Sequence, residues 1–245
     1  MPILPLVLVP GAAIGNRNQQ ASTESREIGM ARIAVIGGTG HLGKAIARRL
    51  AKGGHEVTIG SRTADKAQAI AAEIGAATGA ANEDAAKGQD FVIVTVPYDS
   101  QETTLKQIAP HVGEAVVVDT TVPLVPPKVM RVQLPAAGCA AAEARAHLGP
   151  EIKLVTAIHN VAAHVLDTDA KVECDVLVFG DDVASRNAVV ELMPCMGLRG
   201  LSGGALVNSA AAEALTSILI YMNKTYAADG AGIRFTNLTT APAIP

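Results

Sequence analysis

Short apolar runs alternate along this chain with longer stretches in which apolar residues recur at helical spacing. Residues 33–36 are an apolar run ending in a cluster of glycines, and residues 45–50 repeat apolar side chains at helical spacing, so strand, turn and helix are predicted in that order. A second strand is predicted over 56–59, after Gly53-Gly54, and an Ala-rich amphipathic helix over 64–75. Residues 78–86 predict a short strand and then a helix capped by Asn82, and 91–96 a strand ending in Pro97-Tyr98. Beyond it a helix is expected over 100–108, a strand over 115–118 running into Asp119, a helix over 136–148, and strands over 153–158 and 175–179. Residues 206–226 read as one longer helix with no internal Gly or Pro, apolar on much of its circumference, which implies burial against another element or a second subunit. Six or seven strands alternating with helices predict an α/β chain, a Rossmann-type doubly wound, mostly parallel sheet. The expected division is a sheet domain over 30–200 and a small helical C-terminal domain over 201–245.

Residues 1–29 stand outside this pattern. The first half is apolar and broken by prolines, the second polar; there is no Lys/Arg-rich start of a signal peptide and no run long enough to cross a bilayer. A flexible tail ahead of Met30 is the expectation, with Met30 a candidate natural start.

The turn after the first strand carries the most specific chemistry. Gly38-Thr39-Gly40-His41-Leu42-Gly43 is a G-x-G-x-x-G in which the first glycine makes the tight turn, the second lets backbone approach a pyrophosphate, and the third lets helix pack on strand. The N–H groups that open the following helix then face the phosphates. At the end of the second strand, where a carboxylate would serve the ribose 2′-hydroxyl of NAD, the chain has Gly60-Ser61-Arg62 with Lys66 one helical turn on. A hydroxyl, a guanidinium and an ammonium suit a 2′-phosphate, so NADP is expected over NAD. The alternative is that Arg62 and Lys66 are solvated cations at a helix start, mildly misplaced against its dipole.

Composition narrows the class. The 245 residues carry a net charge of −3 and only 2% aromatics with no Trp, which leaves no basic or stacking surface for nucleic acid. The three cysteines, Cys139, Cys174 and Cys195, lie far apart with no metal-ligand spacing, so neither a metal site nor a disulfide framework is expected and a reducing cytoplasm is. Strand C-terminal ends face the ligand crevice in such a sheet, which puts Tyr98 either along the cofactor or over the sheet's end.

GGTGHLGKAIARRLAKGGHEVTIGSR, NEDAAKGQDFVIVTVPYDS, VTAIHNVAA and VFGDD occur in this order, followed by the segment 205–235. Together they make the chain similar to the NADPH-dependent reductases of coenzyme F-420, the F-420:NADP oxidoreductase family, from about Met30 to Leu238. The resemblance implies direct hydride transfer between C4 of the nicotinamide and C5 of an 8-hydroxy-5-deazaflavin, in an enzyme that orients the two rings and contributes little acid–base chemistry. Carried over by motif, Thr39, Gly40, His41 and Leu42 would hold the pyrophosphate, Ser61, Arg62 and Lys66 the 2′-phosphate, and Tyr98, Glu102, Val122 and Leu124 the nicotinamide half. His159 would position the acceptor by donating a hydrogen bond to its carbonyl edge, with Val161 and Ala163 on the same wall. A homodimer is implied, with the C-terminal helix at its interface and along the deazaflavin site. Residues 125–150 and 222–235 depart from the family's pattern, and Lys128, Arg131 and Lys153 are candidates for a basic rim. Two other functions fit the same residues. One is an NADPH-dependent reductase of a small carbonyl or imine, with His159 or Tyr98 as proton donor; the other is a non-catalytic NADPH-binding module.

Overall fold

The computed structural model describes residues 29–75 and 77–238, so the expected tail lies, apart from Gly29, outside the described residues. Eight strands form one sheet in the order β3-β2-β1-β4-β5-β6-β7-β8. They are β1 (Arg32–Ile36), β2 (Glu56–Ser61), β3 (Ala77–Ala81), β4 (Phe91–Val94), β5 (Val116–Asp119), β6 (Leu154–Thr156), β7 (Asp175–Phe179) and β8 (Arg199–Gly204). Neighbours pair in parallel throughout, except that β7 meets β6 antiparallel at the single pair Thr156–Phe179. The expected doubly wound, mostly parallel sheet is therefore what the chain forms.

The helices are α1 (His41–Lys52), α2 (Ala64–Ile74), α3 (Asn82–Ala85), α4 (Tyr98–Ile108), α5 (Ala140–Leu148), α6 (Ala163–Leu166), α7 (Val183–Leu192) and α8 (Ser209–Thr225). Side chains of β1 alternate between the two faces, as the two-residue period of a strand requires. Ile33 and Val35 join a core with Ala45, Ile46 and Leu50 of α1, while Ala34 and Ile36 join the opposite one with Leu105 and Ile108 of α4. All nine side chains are fully buried. With almost no aromatic residues to fill space, helices lie close to strands: a Cβ on Gly79 of β3 would stand 2.3 Å from the backbone of Gln68 in α2. At the C-terminal end of α1, buried Arg49 donates to the carbonyls of Leu166, Met196, Thr168 and Ala170, tying the connections that lead into β7 and β8 to the first helix.

Several elements differ from the pattern-based expectation. The helix expected over 136–148 starts only at Ala140, because residues 135–138 turn through Gly138 at φ +92°. The strand expected over 153–158 stops at Thr156, two residues before Ile158, a β-branched residue at φ +64°. Asn82 does not cap α3 with its side chain; it is the helix's first residue, and the cap position is Ala81. The last long helix begins at Ser209, after a 3-10 turn over Leu206–Asn208. Helices α6 and α7 and strand β8 were not foreseen. Asp182 does cap α7, its carboxylate accepting from the Ser185 N–H at 2.7 Å. Arg-Gly-Leu-Ser-Gly-Gly of β8 has no strand pattern and becomes a strand by pairing with β7, with Gly203 backed against the ring of Phe179. The sheet thus runs to Gly204, and α8 with the segment after it follows. No helix among the described residues is long and apolar enough to cross a membrane.

Candidate functional site

Strand order reverses around β1, whose neighbours β2 and β4 carry their connections in opposite directions, and the crevice above their C-terminal ends is where such sheets take ligands. The Gly-rich turn leaves β1 here. Gly37, at φ +75°, and Gly38 both donate their N–H to the carbonyl of Gly60 at 3.1 Å, which binds the turn to the end of β2. The glycines have different reasons. A Cβ on Gly43 would meet the Thr95 hydroxyl at 2.5 Å and Gly38 Cα at 2.7 Å, so this position is fixed by packing; Gly38 is likewise blocked by the Val35 carbonyl at 2.8 Å. Gly40 has an ordinary φ of −81°, and its Cβ would meet nothing nearer than the Gly37 carbonyl at 3.5 Å. Nothing among the described residues demands a glycine there, which fits a backbone kept bare for an outside group. Gly40 is also the cap residue of α1, and with no side-chain cap and no acidic residue in the first turn, the opening N–H groups of α1 are free to receive an anion. Thr39 and Leu42 are half-buried and His41 is exposed beside them, so the residues present fit a dinucleotide pyrophosphate.

Ser61 closes β2 and is buried, while Arg62 and Lys66, the latter in the first turn of α2, are exposed. Neither cation makes an ion pair among the described residues. Buried Asn82, whose Oδ1 has no partner among the described residues, packs beneath Gly60, where an added Cβ would lie 3.0 Å from that oxygen.

The ends of β4, β5 and β6 form the other half. Tyr98, the first residue of α4, is half-buried and donates its hydroxyl to Glu143 of α5 at 2.8 Å; burial and that carboxylate hold the phenol up at about 12. Glu102 is exposed one turn along, paired with Lys106 at 2.5 Å, and Lys106 holds its carboxyl below the usual range. Val122 and Leu124 are half-buried in the loop after β5, joined by a 2.7 Å hydrogen bond from the Leu124 N–H to the Val122 carbonyl. Asp119, fully buried at the end of β5, accepts from Gln101 at 2.5 Å and from the Thr121 hydroxyl at 2.6 Å; burial pushes its carboxyl up against those bonds.

His159 follows β6 and is buried, its Nε2 3.3 Å from the Ser209 hydroxyl and its ring tilted against Phe179 at 6.2 Å. Burial lowers it to about 4, so the ring is neutral near pH 7. Its loop is pinned to α8: Thr216 donates to the His159 carbonyl at 2.9 Å, and the Asn160 amide donates to the Ala212 carbonyl at 2.8 Å. Ser209 does not cap α8 but accepts from Thr156 and donates to Glu213, both at 2.9 Å. Glu213 is itself buried, and its two oxygens accept from the backbone N–H groups of Ala140 and Ala141 at 2.6 and 3.1 Å. Val161 is buried in the same loop and Ala163 begins α6. Lys153 precedes β6, at the end of that strand remote from His159, and is paired with Glu114, which removes it from any rim around this site.

Of the residues singled out from the sequence, the glycine turn, Ser61, Arg62 and Lys66 lie at the ends of β1 and β2, and Tyr98 and His159 follow β4 and β6; Gln101, Asp119, Thr156, Ser209 and Glu213 were not singled out as site residues. Glu213 had one signal, a lone carboxylate inside an apolar, Ala-rich helix.

The family profile described as NADP oxidoreductase, coenzyme F-420-dependent, matches residues 32–123. An F-420-dependent NADP reductase of Methanocaldococcus jannaschii is 37% identical over 225 residues, which cover 84% of this chain and 99% of that protein. One from Methanothermobacter thermautotrophicus is 36% identical over 221 residues, 84% of this chain and 95% of its own. A solved structure of a candidate F-420-dependent NADP reductase from Arthrobacter sp. FB24 shares the fold, with a TM-score of 0.75 at 24% identity over 84% of this chain and all of that one.

Proposed function

Because the chain belongs to the family of F-420-dependent NADP reductases, we propose that it transfers a hydride between NADP(H) and the deazaflavin coenzyme F-420. NADPH supplies the hydride and the deazaflavin takes it up, or the reverse, so the protein's part is binding and alignment. Gly40 and the open first turn of α1 receive the pyrophosphate, with Thr39, His41 and Leu42 beside it. Ser61, Arg62 and Lys66 recognise the 2′-phosphate, as the exposure of the two cations and their freedom from ion pairs among the described residues support. Tyr98, Val122 and Leu124 border the nicotinamide and Glu102 lies at its rim; His159, Val161 and Ala163 border the acceptor.

The observation that carries this reading against a carbonyl or imine reductase is the state of the two candidate proton donors. Tyr98 titrates at about 12 and is committed to Glu143, and His159 titrates at about 4 and is already neutral near pH 7. The Tyr98 proton is engaged by Glu143 and the neutral His159 ring holds no extra proton to give, whereas hydride transfer between two stacked rings asks for none from the protein. A homodimer formed through α8 belongs to the same proposal. Val207, Ile218, Tyr221 and Met222 are exposed on and beside that helix, an apolar surface that a second copy of the chain would cover. A reducing cytoplasm is proposed from the two buried free thiols, Cys139 and Cys174.

The test is an anaerobic assay of the purified protein with NADPH and oxidised F-420, following loss of the deazaflavin's visible absorption. Bleaching with NADPH and not with NADH is expected. Tight NADPH binding with no bleaching would leave a binding module or a different acceptor.

A further inference from the structure

We propose that Glu213 is a positioning residue that decides which nitrogen of the His159 ring carries the proton, acting through the Ser209 hydroxyl. This rests on the reading of His159 as the residue beside the hydride acceptor. Ser209 Oγ carries one proton and lies within reach of three groups: Thr156 Oγ1 at 2.9 Å, Glu213 Oε1 at 2.9 Å and His159 Nε2 at 3.3 Å. Glu213 also accepts two backbone N–H groups from the first turn of α5, an environment that favours the carboxylate. A carboxylate can only accept, so the Ser209 proton points to it. Thr156 donates to one remaining lone pair of Ser209. The other can be matched only by an N–H, so Nε2 of His159 carries the proton and Nδ1 presents a bare lone pair.

The polarity of the ring toward a ligand follows. With Glu213 ionised, Nδ1 accepts a hydrogen bond, and so favours a hydroxyl or ring N–H of the bound deazaflavin over its carbonyl edge. With Glu213 protonated, the carboxyl donates to Ser209, the Ser209 proton turns to Nε2, and Nδ1 becomes a donor. The titratable groups that interact with Glu213 are Asp119 at the end of β5, Cys139 ahead of α5 and Tyr98 on α4, with His159 linked through Ser209. Burial, with the negative charge of Asp119, pushes the Glu213 carboxyl up, and the bonds from Ala140, Ala141 and Ser209 oppose it, so the two states are closer in energy than for a surface glutamate.

The test is the tautomer of His159, read by long-range nitrogen–proton NMR of the full-length protein labelled at histidine, for wild type and Glu213→Gln. The glutamine keeps an oxygen for Ala140 and turns an amide N–H toward Ser209, so the proton is expected on Nε2 in wild type and on Nδ1 in the variant. Michaelis constants for F-420 and NADPH accompany the spectra; the first is expected to rise about tenfold, the worth of one hydrogen bond, and the second to stay put. The same tautomer in both proteins overturns the proposal. Ser209→Ala leaves Glu213 bonded to α5 and should give a mixture of tautomers; a ring still held purely as Nε2–H overturns it as well. A tautomer switch in a protein that never bleaches F-420 would uphold the relay and reject the acceptor.

Discussion

Acidification should expose His159 as the site's weak point. Its ring titrates at about 4 in the folded protein against 6.5 unfolded, and the cause is burial. A depressed histidine value means that the unfolded chain binds the proton first. The stability contributed by the neutral ring is therefore complete above about pH 6.5 and lost as pH falls toward 4. At pH 4 the unfolded ring is almost wholly protonated and the folded one only half so, and the difference in proton binding summed from neutral pH down to pH 4 amounts to about 3 kcal/mol. The perturbation is His159→Gln, which keeps an N–H for Ser209 and cannot titrate. Urea unfolding of wild type and variant at pH 7.5 and pH 4, at one protein concentration, measures both stabilities, and carboxylates and the buried His55 are common to the two proteins. Wild type should lose about 3 kcal/mol more than the variant over that interval. Equal losses, or a larger one in the variant, would refute the burial argument.

Arg62→Ala should raise the Michaelis constant for NADPH by about 10- to 100-fold, the loss of a charge-assisted pair, while that for NADH moves little. Equal effects on both would take the 2′-phosphate away from Arg62. Gly40→Ser should melt at or slightly above the wild-type temperature, since a serine cap suits α1 and has room, yet should lose NADPH binding by titration calorimetry. Gly43→Ala should instead destabilise by about 1–3 kcal/mol, because its Cβ strikes Thr95 and Gly38. Ile218→Glu should shift the protein from dimer to monomer in sedimentation; an unchanged dimer would move the interface off α8.

The segment from β1 through the glycine turn to the end of β2 was legible because its information is local. One strand, one glycine turn, one helix and the end of the next strand carry it within residues 33–66, where close packing fixes Gly38 and Gly43 and nothing among the described residues crowds Gly40. The polar cluster between β6 and α8 was not, because Thr156, His159, Ser209 and Glu213 meet only after those two elements have packed; in the sequence they are a strand end, a histidine just after it and two polar residues of an Ala-rich helix. Strand β8 illustrates the same limit at the level of the fold. Its glycines argue against a strand, and pairing with β7 overrules them.

The clasp at Arg49 has a consequence for alignment. A guanidinium meeting four carbonyls in a fixed fork has little slack, and α1, twelve residues and so about 18 Å long, joins that clasp to the Gly-rich turn at its other end. One of the clasped carbonyls is Leu166, the last residue of α6, and the loop bearing His159 runs directly into that helix. The Gly-rich turn and the loop bearing His159 are therefore gauged against opposite ends of a single rod, so a lysine at position 49, able to hold fewer of the carbonyls, would leave the fold standing and the spacing between the two free to drift.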